Sequence, residues 1–220
     1  GTQVRLDQPE TPPFEGVDAL VHLAAKLVVG DNVAVGDYLD ANVALTEQVV
    51  AGAAAAGATR VVLASSRLVY PGDLGRPATE ADARPDNAYG LSKLLAEQVV
   101  GYHARRAGLV ATALRISQVF GAGDVDRGVL AAFARSARSG EPIRVSGRGV
   151  AVRDYVEAAE VARVVRLALE HPAPSPVYNV GGGGRTIAEL AQAAALAFGR
   201  PVTDVVHTDV ADEDTSFWSL

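Results

Sequence analysis

Arg60-Val61-Val62-Leu63-Ala64-Ser65-Ser66, an apolar run closed by two serines, and Asn87-Ala88-Tyr89-Gly90-Leu91-Ser92-Lys93, a helix start farther along the chain, decide the fold. Residues 60–64 read as a short strand with no polar alternation, the pattern of a strand buried on both faces of a parallel sheet. Residues 19–23 and 111–116 read the same way. Between these runs, residues 38–56 and 88–107 read as helices. Strands alternating with helices predict an α/β fold with a doubly wound parallel sheet. The second helix starts after Pro85, with Asp86 or Asn87 as its cap, and stops near Gly108. That start puts Tyr89 and Lys93 in the first turns, close to the strand end bearing Ser66. Ligands of such sheets gather at the carboxyl ends of the strands.

Tyr89 and Lys93 are four residues apart and so share one helix face. An ammonium beside a phenol favours the phenolate, and a group of ordinary pKa near 10 becomes a usable acid or base. With Ser66 holding a substrate oxygen by a hydrogen bond, the three residues read as a proton-transfer device for a carbonyl/alcohol couple, with hydride passing to or from a nicotinamide. The plainer reading is a surface tyrosine packed on a lysine stem.

Further segments carry a resemblance to the extended short-chain dehydrogenase/reductase family, in its branch acting on nucleotide sugars. Val17-Asp18-Ala19-Leu20-Val21-His22-Leu23-Ala24-Ala25 resembles the family's fourth strand, and Asp40-Ala41-Asn42-Val43 its next helix. Leu63 to Tyr70 is similar to the serine strand and the tyrosine turn after it. Leu114-Arg115-Ile116-Ser117-Gln118-Val119-Phe120-Gly121, Arg153-Asp154-Tyr155-Val156 and Tyr178-Asn179-Val180-Gly181 resemble three later signatures. The resemblance implies Ser66, Tyr89 and Lys93 as catalytic residues. It implies cofactor contacts from Asp7, Leu23, Ala24, Ala25, Asn42, Tyr89, Lys93 and Ile116, with NAD as cofactor and NADP open. Ser66, Gln118 and Arg153 would hold the nucleotide sugar. Gln118 stands where relatives usually have Asn, and Arg153 suits phosphate oxygens or else pairs with Asp154 or a surface carboxylate. Residues 1–120 are expected to form the Rossmann-like domain and 121–220 mainly the substrate-binding part.

No G-x-G-x-x-G precedes the first strand, and the chain starts at Gly1 with no methionine. Val4-Arg5-Leu6-Asp7 resembles the family's third strand, whose terminal Asp meets the adenine, and the tail from Asp212 stops where relatives continue. The expectation is a part of a longer protein. Gly181-Gly182-Gly183-Gly184-Arg185-Thr186 lacks the Lys-Ser/Thr ending of a phosphate loop and reads as a strand-to-helix connection, with Thr186 capping a helix over 187–198.

Related dehydratases carry an Asp-Glu pair after the serine position, where this chain has Arg67-Leu68. Dehydration and decarboxylation are disfavoured on that ground. The leading expectation is NAD-dependent epimerisation of a nucleotide-linked hexose through a transient ketone. The alternatives are an NAD(P)H-dependent 4-ketoreductase of deoxysugar biosynthesis and a non-catalytic NAD(P)-binding regulatory protein.

With 49% hydrophobic residues in 220, the chain can bury a sizeable core. A net charge of -6 with dispersed basic residues argues against nucleic acid as partner. Zero cysteines exclude disulfides and thiolate metal sites. The four histidines show no metal-ligand spacing, and His22 reads as a structural partner. Lys26 either reaches a phosphate or caps the strand end. No apolar stretch is long enough to span a membrane, and cytoplasm is the default location. By analogy with the family, homodimers would form through the alanine-rich faces of residues 38–56 and 88–107.

Overall fold

The computed structural model describes residues 14–27, 33–72, 74–123, 128–171 and 176–211. Asp7 with its expected strand, and the tail from Asp212, lie outside the described residues. The strands are β1 (Ala19–His22), β2 (Arg60–Ser66), β3 (Val110–Ile116), β4 (Gln118–Phe120), β5 (Ile143–Ser146), β6 (Val152–Glu157), β7 (Val177–Val180), β8 (Gly184–Thr186) and β9 (Val205–Thr208). The helices are α1 (Val35–Tyr38), α2 (Leu45–Ala55), α3 (Ala88–Ala107), α4 (Gly128–Ser139), α5 (Ala158–Glu170) and α6 (Ile187–Ala197). Residues Leu39–Ala44 join α1 to α2 as a π-helical turn. The chain divides into two compact units, Gly1–Pro71 with Glu80–Ile116 and Val161–Val180, and Gly72–Thr79 with Ser117–Glu160 and Gly181–Leu220. A single cut at residue 120 does not follow this division, because β7 returns to pair with β3.

In the first unit β1, β2, β3 and β7 form a parallel sheet in the order β1-β2-β3-β7. Val61 and Leu63 of β2 and Ala113 of β3 point to one face, where they pack with Val50 of α2 and with Ala96 and Val100 of α3. Val62 and Leu114, of the opposite parity, are buried as well. Burial on both faces explains the continuous apolar runs, and each such Val or Leu contributes about 1.5–3 kcal/mol. Residues Asn87 and Gly108 cap α3 as the sequence predicts. The Asn87 side chain accepts a hydrogen bond from the Gly90 N–H at 2.8 Å, and Gly108 closes the helix at φ 70°.

In the second unit β4, β6 and β8 form a small mixed sheet, and β5 pairs with β9 in parallel. Its core joins Phe133 and Ala137 of α4, Ile143 and Val145 of β5, and Ala191 and Ala195 of α6. The four-glycine run is a connection into α6, whose capping box pairs Thr186 with Glu189. The Gly182 N–H donates to Asp154 Oδ1 at 2.8 Å, and a Cβ there would stand 2.1 Å from the Tyr155 carbonyl oxygen. Close approach to β6 accounts for the glycine.

His22 ends β1 in the interior, with its Nε2 3.0 Å from Thr46 Oγ1. The single Thr46 hydroxyl proton is spent on the Asn42 carbonyl at 2.5 Å. Nε2 must therefore donate, so the neutral imidazole carries its proton there. Burial, with the Lys93 ammonium adding to it, lowers the His22 pKa from 6.5 to about 4. The unfolded chain takes up this proton as pH falls through 6.5 and the folded chain does so only near 4. The neutral imidazole's contribution is complete above pH 6.5 and is lost toward pH 4, a loss of about 3 kcal/mol. Urea unfolding of wild type and His22→Gln should show the wild type losing that much relative to the variant across this window. A stability difference independent of pH would contradict the assignment.

Gly90 lies where α3 crosses the turn after β2. A Cβ at this position would stand 1.8 Å from the Leu68 carbonyl oxygen, a backbone atom that cannot swing away. Gly101, in the same helix, would meet only the end of the Arg105 side chain at 3.5 Å. Thermal unfolding should show Gly90→Ala destabilised by about 3 kcal/mol or more, and Gly101→Ala stabilised by up to about 1 kcal/mol. Equal effects would rule out the close contact.

Candidate active site

The parallel sheet delivers its strand ends together. Ser66 closes β2 opposite Ile116, which closes β3, while Leu23, Ala24 and Ala25 follow β1. Leu23 is 63% exposed, a large apolar surface at the edge where such sheets take ligands. The Ser66 side chain accepts from the Leu68 N–H at 3.2 Å, starting the turn Arg67–Val69. That turn supports the first residues of α3 through Gly90 and through the Asn87 side chain, which donates to the Leu68 carbonyl at 3.4 Å. Tyr89 and Lys93 are thereby set beside the end of β2.

The structure sets the Ser66 side chain near enough to Tyr89 to act on its phenol. Burial holds the Tyr89 phenol above its ordinary pKa. Ser66 opposes the rise and Tyr38 adds to it. Tyr38 packs its ring edge against Tyr89 at 5.9 Å. The sequence expectation of a phenol lowered by Lys93 differs from this balance, because the pull of burial on a phenolate outweighs the groups that favour it. Lys93 is 3% exposed, and burial lowers its pKa from 10.5 to about 8, with Glu97 acting to raise it. Its ammonium form therefore predominates at neutral pH.

Asn42, expected to contact the dinucleotide, is seated in the interior. It is 2% exposed, and its amide is engaged on three sides. Oδ1 accepts from the Lys26 N–H at 2.7 Å, and Nδ2 donates to the Lys26 carbonyl at 3.3 Å and to Ser92 Oγ at 2.9 Å. Ser92 Oγ in turn donates to the Tyr89 carbonyl at 2.7 Å. Asn42 thus ties the chain after β1 to the first turns of α3. Lys26 itself pairs with Asp37 at 3.2 Å.

Sequence reasoning passed over a buried network next to these residues. Glu97, one turn beyond Lys93 on α3, receives Arg115 Nε at 3.0 Å and Nη2 at 2.7 Å, together with the Ser65 hydroxyl. Arg115 Nη1 donates to Tyr70 Oη at 2.9 Å and to the Glu80 carbonyl at 2.7 Å, and Tyr70 donates to Asn179 Oδ1 at 2.6 Å. Burial disfavours the guanidinium, but its hydrogen bonds to Glu97 and Tyr70 more than offset this and raise its pKa. Arg115 and Tyr70 lie inside motifs that were read; the signal available for Glu97 was its four-residue spacing from Lys93.

Gln118 and Arg153 belong to the second unit. Gln118 opens β4 with its Oε1 buried and without a hydrogen-bond partner among the described residues. Arg153 lies on β6 and donates from Nη1 to the Val152 carbonyl at 3.0 Å. Among the described residues no group of His, Cys, Asp and Glu is arranged to hold a metal, and no helix is long and apolar enough to cross a membrane.

Comparison with known proteins places this geometry. The chain is 29% identical over 208 residues to UDP-glucose 4-epimerase from Corynebacterium glutamicum, covering 86% of this chain and 62% of that protein. It is 29% identical over 131 residues to dTDP-4-dehydro-6-deoxyglucose reductase from Escherichia coli, covering 58% of this chain and 42% of the relative. The crystal structure of UDP-N-acetylglucosamine 4-epimerase from Bacillus cereus superposes with a TM-score of 0.78 at 28% identity, over 90% of this chain and 68% of the other. The chain spans about half the length of the curated relatives it matches. Residues 10–181 match the NAD dependent epimerase/dehydratase family, and the chain belongs to that family.

Proposed function

We propose that this chain carries the proton-transfer half of an NAD-dependent epimerase acting on a nucleotide-linked hexose. The observation that supports this most directly is the setting of Tyr89 and the buried Lys93 in the first turns of α3, whose start is held on the turn after Ser66 through Gly90 and Asn87. A sugar hydroxyl hydrogen-bonded to Ser66 lies within reach of the Tyr89 oxygen. Tyr89, once it has released its own phenol proton to solvent, takes the hydroxyl proton as the phenolate while the carbon gives up hydride and the C–O bond becomes C=O. NAD, when bound, would supply the acceptor and donor for that hydride. The ketone turns its other face, and Tyr89 gives the proton back to the re-forming alkoxide, so that the only net change is configuration.

The residues at the strand ends suit such a cofactor. Leu23, Ala24, Ala25 and Ile116 offer apolar and small surfaces for a flat ring. The Lys93 ammonium, protonated below pH about 8, suits a ribose hydroxyl and favours the phenolate that Tyr89 must become. Gln118 and Arg153 are proposed as contacts to the nucleotide sugar, Gln118 on the strength of its unpartnered Oε1 and Arg153 of its guanidinium. Arg67 and Leu68 occupy the turn after Ser66, and neither carboxylate of a dehydratase stands there.

A second reading is a nucleotide-sugar 4-ketoreductase. The upward displacement of the Tyr89 pKa favours it, since a protonated phenol is ready to donate to a keto oxygen. The similarity to a 4-dehydro-6-deoxyglucose reductase points the same way. The two readings separate when nucleotide hexoses and 4-keto-6-deoxy sugars are supplied to the full-length protein, with nicotinamide absorbance and sugar configuration followed together. The epimerase forms a new epimer without net nicotinamide change, whereas the reductase consumes one reduced nicotinamide per ketone. Tyr89→Phe should lower kcat by about a thousandfold or more, with cofactor affinity within a fewfold of wild type. Substantial remaining turnover would sink the role given to Tyr89.

A further inference from the structure

We propose that Glu97, clamped by Arg115, is a positioning residue that supplies the fixed counter-charge keeping the Lys93 side chain charged in the interior. Three ionisable side chains lie almost wholly buried around the start of α3: Lys93 at 3% exposed, Glu97 at 7% and Arg115 at 4%. Two are cations and one is an anion, so Glu97 is the single negative group of the cluster. It follows Lys93 by four residues on the same face of α3. One further acid stands at the edge of this cluster: Glu80, exposed, whose carbonyl accepts from Arg115 and whose carboxylate accepts from the Asn179 N–H. The remaining groups bring no negative charge. His22 on β1 is neutral with its Nε2–H on Thr46, Tyr38 and Tyr89 are phenols, and Ser65 and Ser66 are hydroxyls. Of the exposed acids on neighbouring helices, Asp37 pairs with Lys26 and Glu47 with His103.

The Glu97 carboxylate is held rigidly. It accepts three hydrogen bonds, two from Arg115 on β3 and one from Ser65 on β2, and its partner Arg115 is itself fixed by Tyr70 and the Glu80 carbonyl. A carboxylate so fixed cannot swing toward or away from Lys93, so its field on the ammonium is constant. Glu97 is the influence that raises the lysine against burial. Without the carboxylate, two cations would share a dry environment, and the lysine, whose proton is the more easily lost, would release it. The kinetic consequence rests on the role of Tyr89 and Lys93 proposed above, whereas the charge state of Lys93 is measurable without it.

The test is an NMR titration of the full-length protein carrying 13C at the lysine Cε, with Lys93 assigned by Lys93→Arg. Glu97→Gln should move the Lys93 midpoint down from about 8 by about one pH unit or more. The alkaline limb of kcat/KM should fall with it. Arg115→Gln, which removes the competing cation, should move the midpoint up. Shifts of opposite sign are an electrostatic signature that a purely structural role would not produce. A midpoint unmoved by Glu97→Gln, or moved the same way by both variants, would overturn the proposal. Should either variant fail to fold, wild-type protein carrying 13C-labelled glutamate gives the answer. The Glu97 carboxyl carbon should show an inflection at the Lys93 midpoint, and its absence would overturn the proposal equally. A protein that turns over no sugar yet shows these shifts would refute the epimerase reading and leave this one standing.

Discussion

The ion pair between Arg115 on β3 and Glu97 on α3 is the constraint on which the first unit depends. Two charges taken out of water are tolerable only when every lone pair and proton finds a partner. Here the carboxylate receives two guanidinium N–H groups and the Ser65 hydroxyl, and the remaining guanidinium nitrogen reaches Tyr70 and the Glu80 carbonyl. Asn179 on β7 accepts from Tyr70, and its own N–H donates to the Glu80 carboxylate at 2.9 Å. One network therefore pins α3 to β2, β3 and β7. Removing either charged partner would strand the other, at a cost of about 3–5 kcal/mol. The directional demands of the pair also set the rotation of α3, and with it the direction in which Tyr89 and Lys93 are presented.

A second, uncharged bracket works at the other end of the same helix turn. Asn42, in the π-helical turn before α2, holds the chain after β1 and Ser92 of α3 at once. The extra residue per turn in Leu39–Ala44 lies where this side chain enters the interior. Together the two brackets leave the start of α3 little freedom beside Ser66. That rigidity suits a reaction in which a proton and a hydride must leave neighbouring atoms of one substrate.

Much of this was legible in the sequence, for physical reasons that can be named. Apolar runs without alternation announce strands covered on both faces, and Asn87, Gly108 and Thr186 announce helix ends because their side chains, or the lack of one, satisfy terminal backbone groups. The helix over Ala88–Ala107 was read with the bounds observed. The small sheet of β4, β6 and β8 was not legible, since its strands are short and its partners come from distant parts of the chain. Tyr89 and Lys93 were singled out by their four-residue spacing, and Ser66 by its place at the end of an apolar run. Glu97 was missed because its meaning depends on the β3 residue opposite α3, which spacing does not encode. The direction of the Tyr89 pKa was also beyond the sequence. Four-residue spacing announces a nearby cation, whereas the depth of burial that outweighs it is a property of the packed structure.

The central claim is that hydride leaves and returns to the same carbon while Tyr89 handles the proton. It is tested most directly with a nucleotide hexose deuterated at the carbon whose hydroxyl is inverted, incubated with the full-length protein and NAD and followed by NMR and mass spectrometry. The account predicts that both epimers keep the deuterium at that carbon, with no net change in nicotinamide. Loss of the label to water, or its stoichiometric transfer to the nicotinamide, would contradict it.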